Sequence, residues 1–182
     1  MPRVTVAGHP LHPQLVGFPI GLIPFSFVMD CMYAATGDKN YARAAQYSLM
    51  GGAVGAVAAA AAGIMDYLAI RNGTEEKKLA TTHGLMNAAI LSIETVNLLR
   101  RRRGEPHSKA LALTLGAIST AGLTVSQWYG GQLVYDRGVR VKGKQELEST
   151  RDLRPSWDEK IERSLHKVSE KMPLGGIQDR SA

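Results

Sequence analysis

The sequence predicts an all-α protein. A four-transmembrane-helix up-down bundle occupies residues 1–141, and a charged tail, 142–182, carries one amphipathic helix. Three observations predict it. Four apolar stretches, at about 15–36, 44–70, 79–99 and 110–135, each approach the roughly 20 residues that cross a hydrocarbon core. The linkers between them are short and polar, which makes successive helices antiparallel neighbours. Gly51, Gly55, Ala59 and Gly63 recur every four residues, so small side chains line one helix face where lipid-embedded helices can approach closely.

The first stretch follows His9-Pro10-Leu11-His12-Pro13. A residue before proline is pushed out of the α region, so both histidines are expected in extended backbone, with Pro13 in the first turn of the helix. Pro19 and Pro24 interrupt the apolar run and no small-x-small cleavage site follows, so it reads as a retained helix and not a signal peptide. Gly17 and Gly21 repeat the small-residue spacing and are expected in helix packing. Cys31 is the single cysteine, which excludes an intrachain disulfide and argues against a cysteine zinc site.

The second stretch is rich in alanine and glycine and has no polar face. That disfavours the main competitor, a soluble four-helix bundle, whose helices would be amphipathic. The third stretch is polar for a span. His83, Asn87, Glu94, Asn97 and Arg101 follow at intervals of three, four or seven, which places them on one face. Polar groups are costly in hydrocarbon, so this stripe should point into the bundle. For Asn87 and Asn97, interhelical hydrogen bonding is the simpler role. After Tyr135 come Arg137, Arg140, Lys142 and Lys144, a basic collar. Ser156 and Glu159 form a capping box for a tail helix over about 156–172. Its apolar stripe of Trp157, Ile161, Leu165, Val168 and Met172 suits a membrane surface, a partner, or a loosely attached soluble helix.

The chain has 182 residues and a formal charge of +6. Its mean hydropathy of -0.11 is low for a membrane protein because the charged tail dilutes the spans. Basic and aromatic residues do not interleave, which excludes a nucleic-acid surface and leaves the lipid bilayer as the expected surrounding. No nucleophile elbow, phosphate loop or dinucleotide fingerprint occurs, so the reading leans away from an enzyme. Lys and Arg are nearly balanced between the two loop faces. The compact run Arg100 to Arg103 favours that loop inside and both termini outside.

In an up-down bundle, one membrane face collects His9, His12, Asp66, His83, Asn87, Gln132 and Tyr135. His9, His12 and His83 are candidate ligands for a transition metal or a haem iron, with Asp66 to orient one of them. Gly17, Gly21 and Gly84 would leave room for a flat cofactor, and Arg71, Lys77, Lys78 and Arg137 could meet its carboxylates. The structural alternative is a rigid lead-in whose histidines cap helix ends. The opposite face holds Asp30 and Glu94, which could share a proton or a cation, or pair with Arg43, Arg100 or Arg101. Three functions follow. The first is a haem- or metal-binding redox module, with another chain or a second copy as partner. The second is a structural or partner-binding membrane protein. The third is a small ion or proton transporter, for which four short helices leave little room.

His9-Pro10-Leu11-His12-Pro13, then Leu15-Val16 and Phe18-Pro19-Ile20-Gly21, resemble the opening of the bacterial membrane family called domain of unknown function 2231. Asp66, His83, Gly131, Leu133-Val134-Tyr135 and Gly138-Val139 continue the resemblance, which covers about residues 7–141. It implies a four-helix protein of the bacterial inner membrane without assigned activity. Some similar proteins are joined to a Rieske-type iron–sulfur domain, which implies redox work. Family members commonly carry a histidine where this chain has Gly17, and the tail here holds no iron–sulfur cysteines.

Overall fold

The computed structural model describes residues 5–6, 9–139 and 163–164. A short helix α1 (Leu11–Leu15) leads into α2 (Gly17–Thr36). Then follow α3 (Lys39–Leu68), α4 (Glu75–Leu99) and α5 (Lys109–Gly131). α5 runs on into a π-helical turn, Gln132–Asp136. Two small antiparallel ribbons sit at the ends: β1 (Thr5–Val6) with β2 (His9–Pro10), and β3 (Arg101–Arg102) with β4 (Glu105–Pro106).

Local chemistry sets the helix ends. Gly37 stops α2 in left-handed backbone at φ 72°, a conformation that glycine adopts without steric cost. Asp38 then caps α3 by accepting the Asn40 N–H at 2.9 Å. Thr74 caps α4 by accepting from Lys77 N–H at 3.3 Å, and Ser108 caps α5 by accepting from Leu111 N–H at 3.3 Å. The helices therefore begin earlier than the apolar stretches do. A polar first turn still belongs to the helix when a capping residue precedes it.

Small residues set the packing. The stripe on α3 meets α2 at close range: an ideal Cβ at Gly55 would lie 2.5 Å from Phe18 Cβ, and one at Gly52 would lie 2.9 Å from Ile23 Cγ1. Gly116 of α5 receives Phe27 of α2, and Gly122 of α5 receives Ile90 of α4. Each long helix packs on the next one in the chain, and α5 returns to α2. Ile23, Ile90 and Leu123 form one buried cluster, and Leu79, Tyr129 and Leu133 form another toward the α5 end.

Three segments are long and apolar enough to cross a membrane: Leu11–Thr36, Lys39–Leu68 and Lys109–Asp136. Only 22%, 22% and 28% of their most apolar windows is buried, so most of that surface points outward. Val54, Val57, Ile64 and Leu68 on α3 are all exposed, which suits lipid far better than water. α4, with 25 residues, is long enough but is not among the three.

Two expectations are corrected here. His12 is helical, not extended: its carbonyl accepts the Val16 N–H at 3.1 Å. Pro13 lies in the first turn of α1, where a missing N–H needs no partner, so the helix forms across the bias of the preceding residue. Gly17 and Gly21 take no part in helix packing, because an added Cβ at either would meet open space. Their spacing matches that of the α3 stripe, but their face of α2 turns away from α3 and α5. Arg140, Lys142, Lys144 and the tail helix expected over 156–172 lie outside the described residues, except the helical pair Arg163 and Ser164.

Candidate functional site

His12 and His83 come from α1 and α4, and the fold sets them side by side. Their ring centroids are 6.3 Å apart with planes at 88°. Each ring is fixed from behind by a main-chain carbonyl of a neighbouring helix. His12 Nδ1 lies 2.8 Å from Ala59 O of α3, and His83 Nδ1 lies 2.9 Å from Ser126 O of α5. A carbonyl oxygen only accepts, so each Nδ1 carries the proton and donates it. Nε2 is then the atom that bears a lone pair in both rings.

Asn87 sets the second side of His83. Its amide nitrogen donates to His83 O at 2.8 Å and to Ser126 Oγ at 2.8 Å, which uses both protons. The same nitrogen is 3.4 Å from Nδ1 and 3.2 Å from Nε2 of the ring. An atom so nearly equidistant from both ring nitrogens is off the lone-pair direction of Nε2, so that lone pair stays free of it. Ser126 Oγ is 3.0 Å from His83 Nδ1, which gives the ring proton a second acceptor.

Glycines make the room. An ideal Cβ at Gly63 would stand 3.0 Å from His12 Nδ1, and one at Gly130 would stand 3.2 Å from His83 Cε1. Ser126, Gly130 and the Ala59 carbonyl were not among the residues expected at the site. For α5 a signal existed: Gly116, Ser119, Ser126 and Gly130 share one helix face at spacings of three, four and seven.

The other expected residues sit on α3, the N-terminal ribbon and the π turn. Asp66 is half-buried on the α3 stripe, three residues past Gly63. His9 lies in β2, its backbone paired with Val6. Gln132 is half-buried at the start of the π turn, where its carbonyl accepts the Arg137 N–H at 3.1 Å. Tyr135 turns outward and is 81% exposed. Tyr135 lies nine residues past Ser126 and five past Gly130, which at about 100° per residue sets it on the far side of the helix from His83.

The cations expected to meet a cofactor are mostly engaged. Lys77 Nζ donates to Tyr67 O at 2.7 Å and sits 3.4 Å from the centre of the Tyr67 ring. Lys78 pairs with Glu75 at 2.8 Å, and Arg137 approaches Glu76 at 3.5 Å. Gly84 faces open space, as do Gly17 and Gly21. Among the described residues, no group of three or more His, Cys, Asp or Glu side chains gathers at metal-holding distance.

At the opposite end Asp30 is paired with Arg101, and both are buried. Arg101 Nη1 donates to Asp30 Oδ1 at 2.9 Å, and Nη2 contacts Oδ2 to complete a two-pronged pair. Nη2 also reaches Asn97 Oδ1 at 3.3 Å, and Asn97 Nδ2 donates to Glu94 Oε2 at 3.2 Å. Of the arginines considered as partners, it is Arg101 that takes Asp30.

No curated protein and no solved structure matches this chain. A family described as predicted membrane protein (DUF2231) matches residues 8–143, which span both clusters and all the long helices. The chain therefore belongs to that membrane-protein family, DUF2231.

Proposed function

We propose that the protein is a membrane module that holds a transition metal between His12 and His83, in a bundle where α4 is a fourth crossing helix. One observation carries the reading: both imidazoles donate Nδ1–H to main-chain carbonyls and keep Nε2 for a ligand, with ring centroids 6.3 Å apart. Metal-bound histidines are oriented in this way by a backbone or carboxylate acceptor behind them. Two imidazoles on one ion at about 2.0–2.1 Å put their ring centres roughly 5–6 Å apart, so a small closing movement suffices. Imidazole donors suit copper, iron or zinc, and the first two would make the module redox-active. A third ligand would have to be drawn in on binding, from His9, three residues before His12 in the sequence, or from Asp66 of α3.

The donor set suits a bare ion better than haem. The space at Gly17, Gly21 and Gly84 is open outward and does not lie between the rings. In this reading α4 turns its polar stripe into the bundle against α3 and α5 and spans about 37 Å with its 25 residues. Membership of the family and the three apolar helices support the bilayer as its surroundings. A bacterial inner membrane with both termini outside is the arrangement we favour. Electron exchange would need a partner chain or a second copy.

Metal analysis and an absorption spectrum of detergent-purified protein test the reading. Stoichiometric copper or iron in the wild type, lost in His12→Ala and His83→Ala, is expected. A wild type with neither metal nor a Soret band removes it. The second reading, a structural protein, is favoured by the Asn87–Ser126–His83 contacts, which join α4 to α5. Under that reading His83→Ala lowers thermal stability and changes no bound ion.

A further inference from the structure

We infer that Glu94 is a proton-binding site inside the bundle, loaded from the face that carries the β3–β4 loop. It stands independently of the metal reading and lies at the other end of α4.

The charge count argues for it. Glu94 is 1% exposed, Asp30 2% and Arg101 8%. The cluster thus has two carboxylates and one guanidinium. Arg101 commits both terminal nitrogens to Asp30, so its charge is already matched. Glu94 receives the neutral Asn97 amide on Oε2, and its other polar neighbour, the Ser119 hydroxyl, is neutral too. Its other oxygen, Oε1, is buried without a hydrogen-bond partner, and so is the Ser119 hydroxyl of α5, which is 0% exposed. The charged groups acting on Glu94 are Arg101 and Asp30, with Ser119 and Asn97 as its polar neighbours. An ionised Glu94 would leave one uncompensated negative charge in a dry interior, which is far more costly than holding a proton. Ser119 and Asn97 are neutral and can serve either form, whereas the charged form alone lacks a counter-cation of its own.

The route is also visible. A small pocket opens among Pro106, His107, Ser108, Leu111 and Leu115, and Asn97 lines its inner wall. Asn97 is one hydrogen bond from Glu94. Solvent entering that pocket can therefore come within one side chain of the carboxyl and exchange its proton past Asn97 without crossing the lipid-facing surface. Asp30, held by Arg101, takes no part.

The test uses the full chain in liposomes. Dicyclohexylcarbodiimide adds to protonated carboxyl groups in apolar surroundings, and peptide mass spectrometry locates the adduct. Labelling of Glu94 that falls as pH rises from about 5 to 9, with Asp30 unlabelled, is expected. Labelling of Asp30 instead overturns the proposal. Infrared spectroscopy guards against poor reagent access: the protonated-carboxyl band should be present in wild type and missing in Glu94→Gln. A wild type without that band also overturns the proposal. Protection from labelling by sodium but not by choline replaces the proton with a metal cation and overturns it likewise. Leu115→Phe, which fills the pocket, should slow the shift of the band in deuterated buffer several-fold, and an unchanged rate overturns the route.

Discussion

His83 shows how single side chains are fixed here. Its ring proton goes to the Ser126 carbonyl, with Ser126 Oγ as a second acceptor, so removing the imidazole leaves the Ser126 acceptors short of a donor in a part-buried place. His83→Ala should cost about 1–3 kcal/mol, read as a lower unfolding midpoint in detergent. His83→Gln should recover part of that stability but none of the metal. Arg101 makes the stronger case. Arg101→Ala strands the buried Asp30 carboxylate and should cost about 3–5 kcal/mol. Asp30→Asn combined with Arg101→Met should recover most of that, because neither charge is then left alone. Equal midpoints for the single and double variants would contradict this account.

Elements meet through glycine. Gly55→Leu would press α2 and α3 apart at Phe18 and Pro19, and should cost about 1–3 kcal/mol in the same assay. Gly17→Leu, on the open face of α2, should be near neutral. A second element-level tie joins the β3–β4 ribbon to the α2–α3 turn. Glu105 pairs with Lys39 at 2.9 Å and accepts from the Tyr33 hydroxyl at 3.0 Å. Lys39 first, then the Tyr33 hydroxyl, hold the Glu105 carboxyl below the ordinary 4.5. A depressed carboxyl stabilises the fold above its unfolded value, and that stability fades as pH falls through the folded value. The midpoints of wild type and Glu105→Gln should therefore differ above about pH 4.5 and converge below it. The difference should be small, since the pair is solvated.

At the scale of the molecule, the outward apolar surface of α2, α3 and α5 requires lipid. Alkaline carbonate should leave the protein in the membrane pellet, and its release into the wash would contradict a spanning fold. An alkaline phosphatase reporter fused after Gly104 should be inactive, which puts the arginine-rich loop inside. Activity there would invert the orientation.

Four helices, their order and the small-residue face of α3 were legible in the sequence, because apolar length and four-residue spacing are local properties of the chain. The nearness of His12 and His83 followed from alternating helix direction alone. Which face each helix turns inward was not legible. Gly17 and Gly21 share the spacing of Gly51 and Gly55, yet only the latter pair meets another helix. The match of Arg101 to Asp30, leaving Glu94 with a neutral amide, depends on which side chains arrive at the same depth. Pattern along the chain determines what each helix is, whereas partners for buried polar atoms are chosen only when the helices pack.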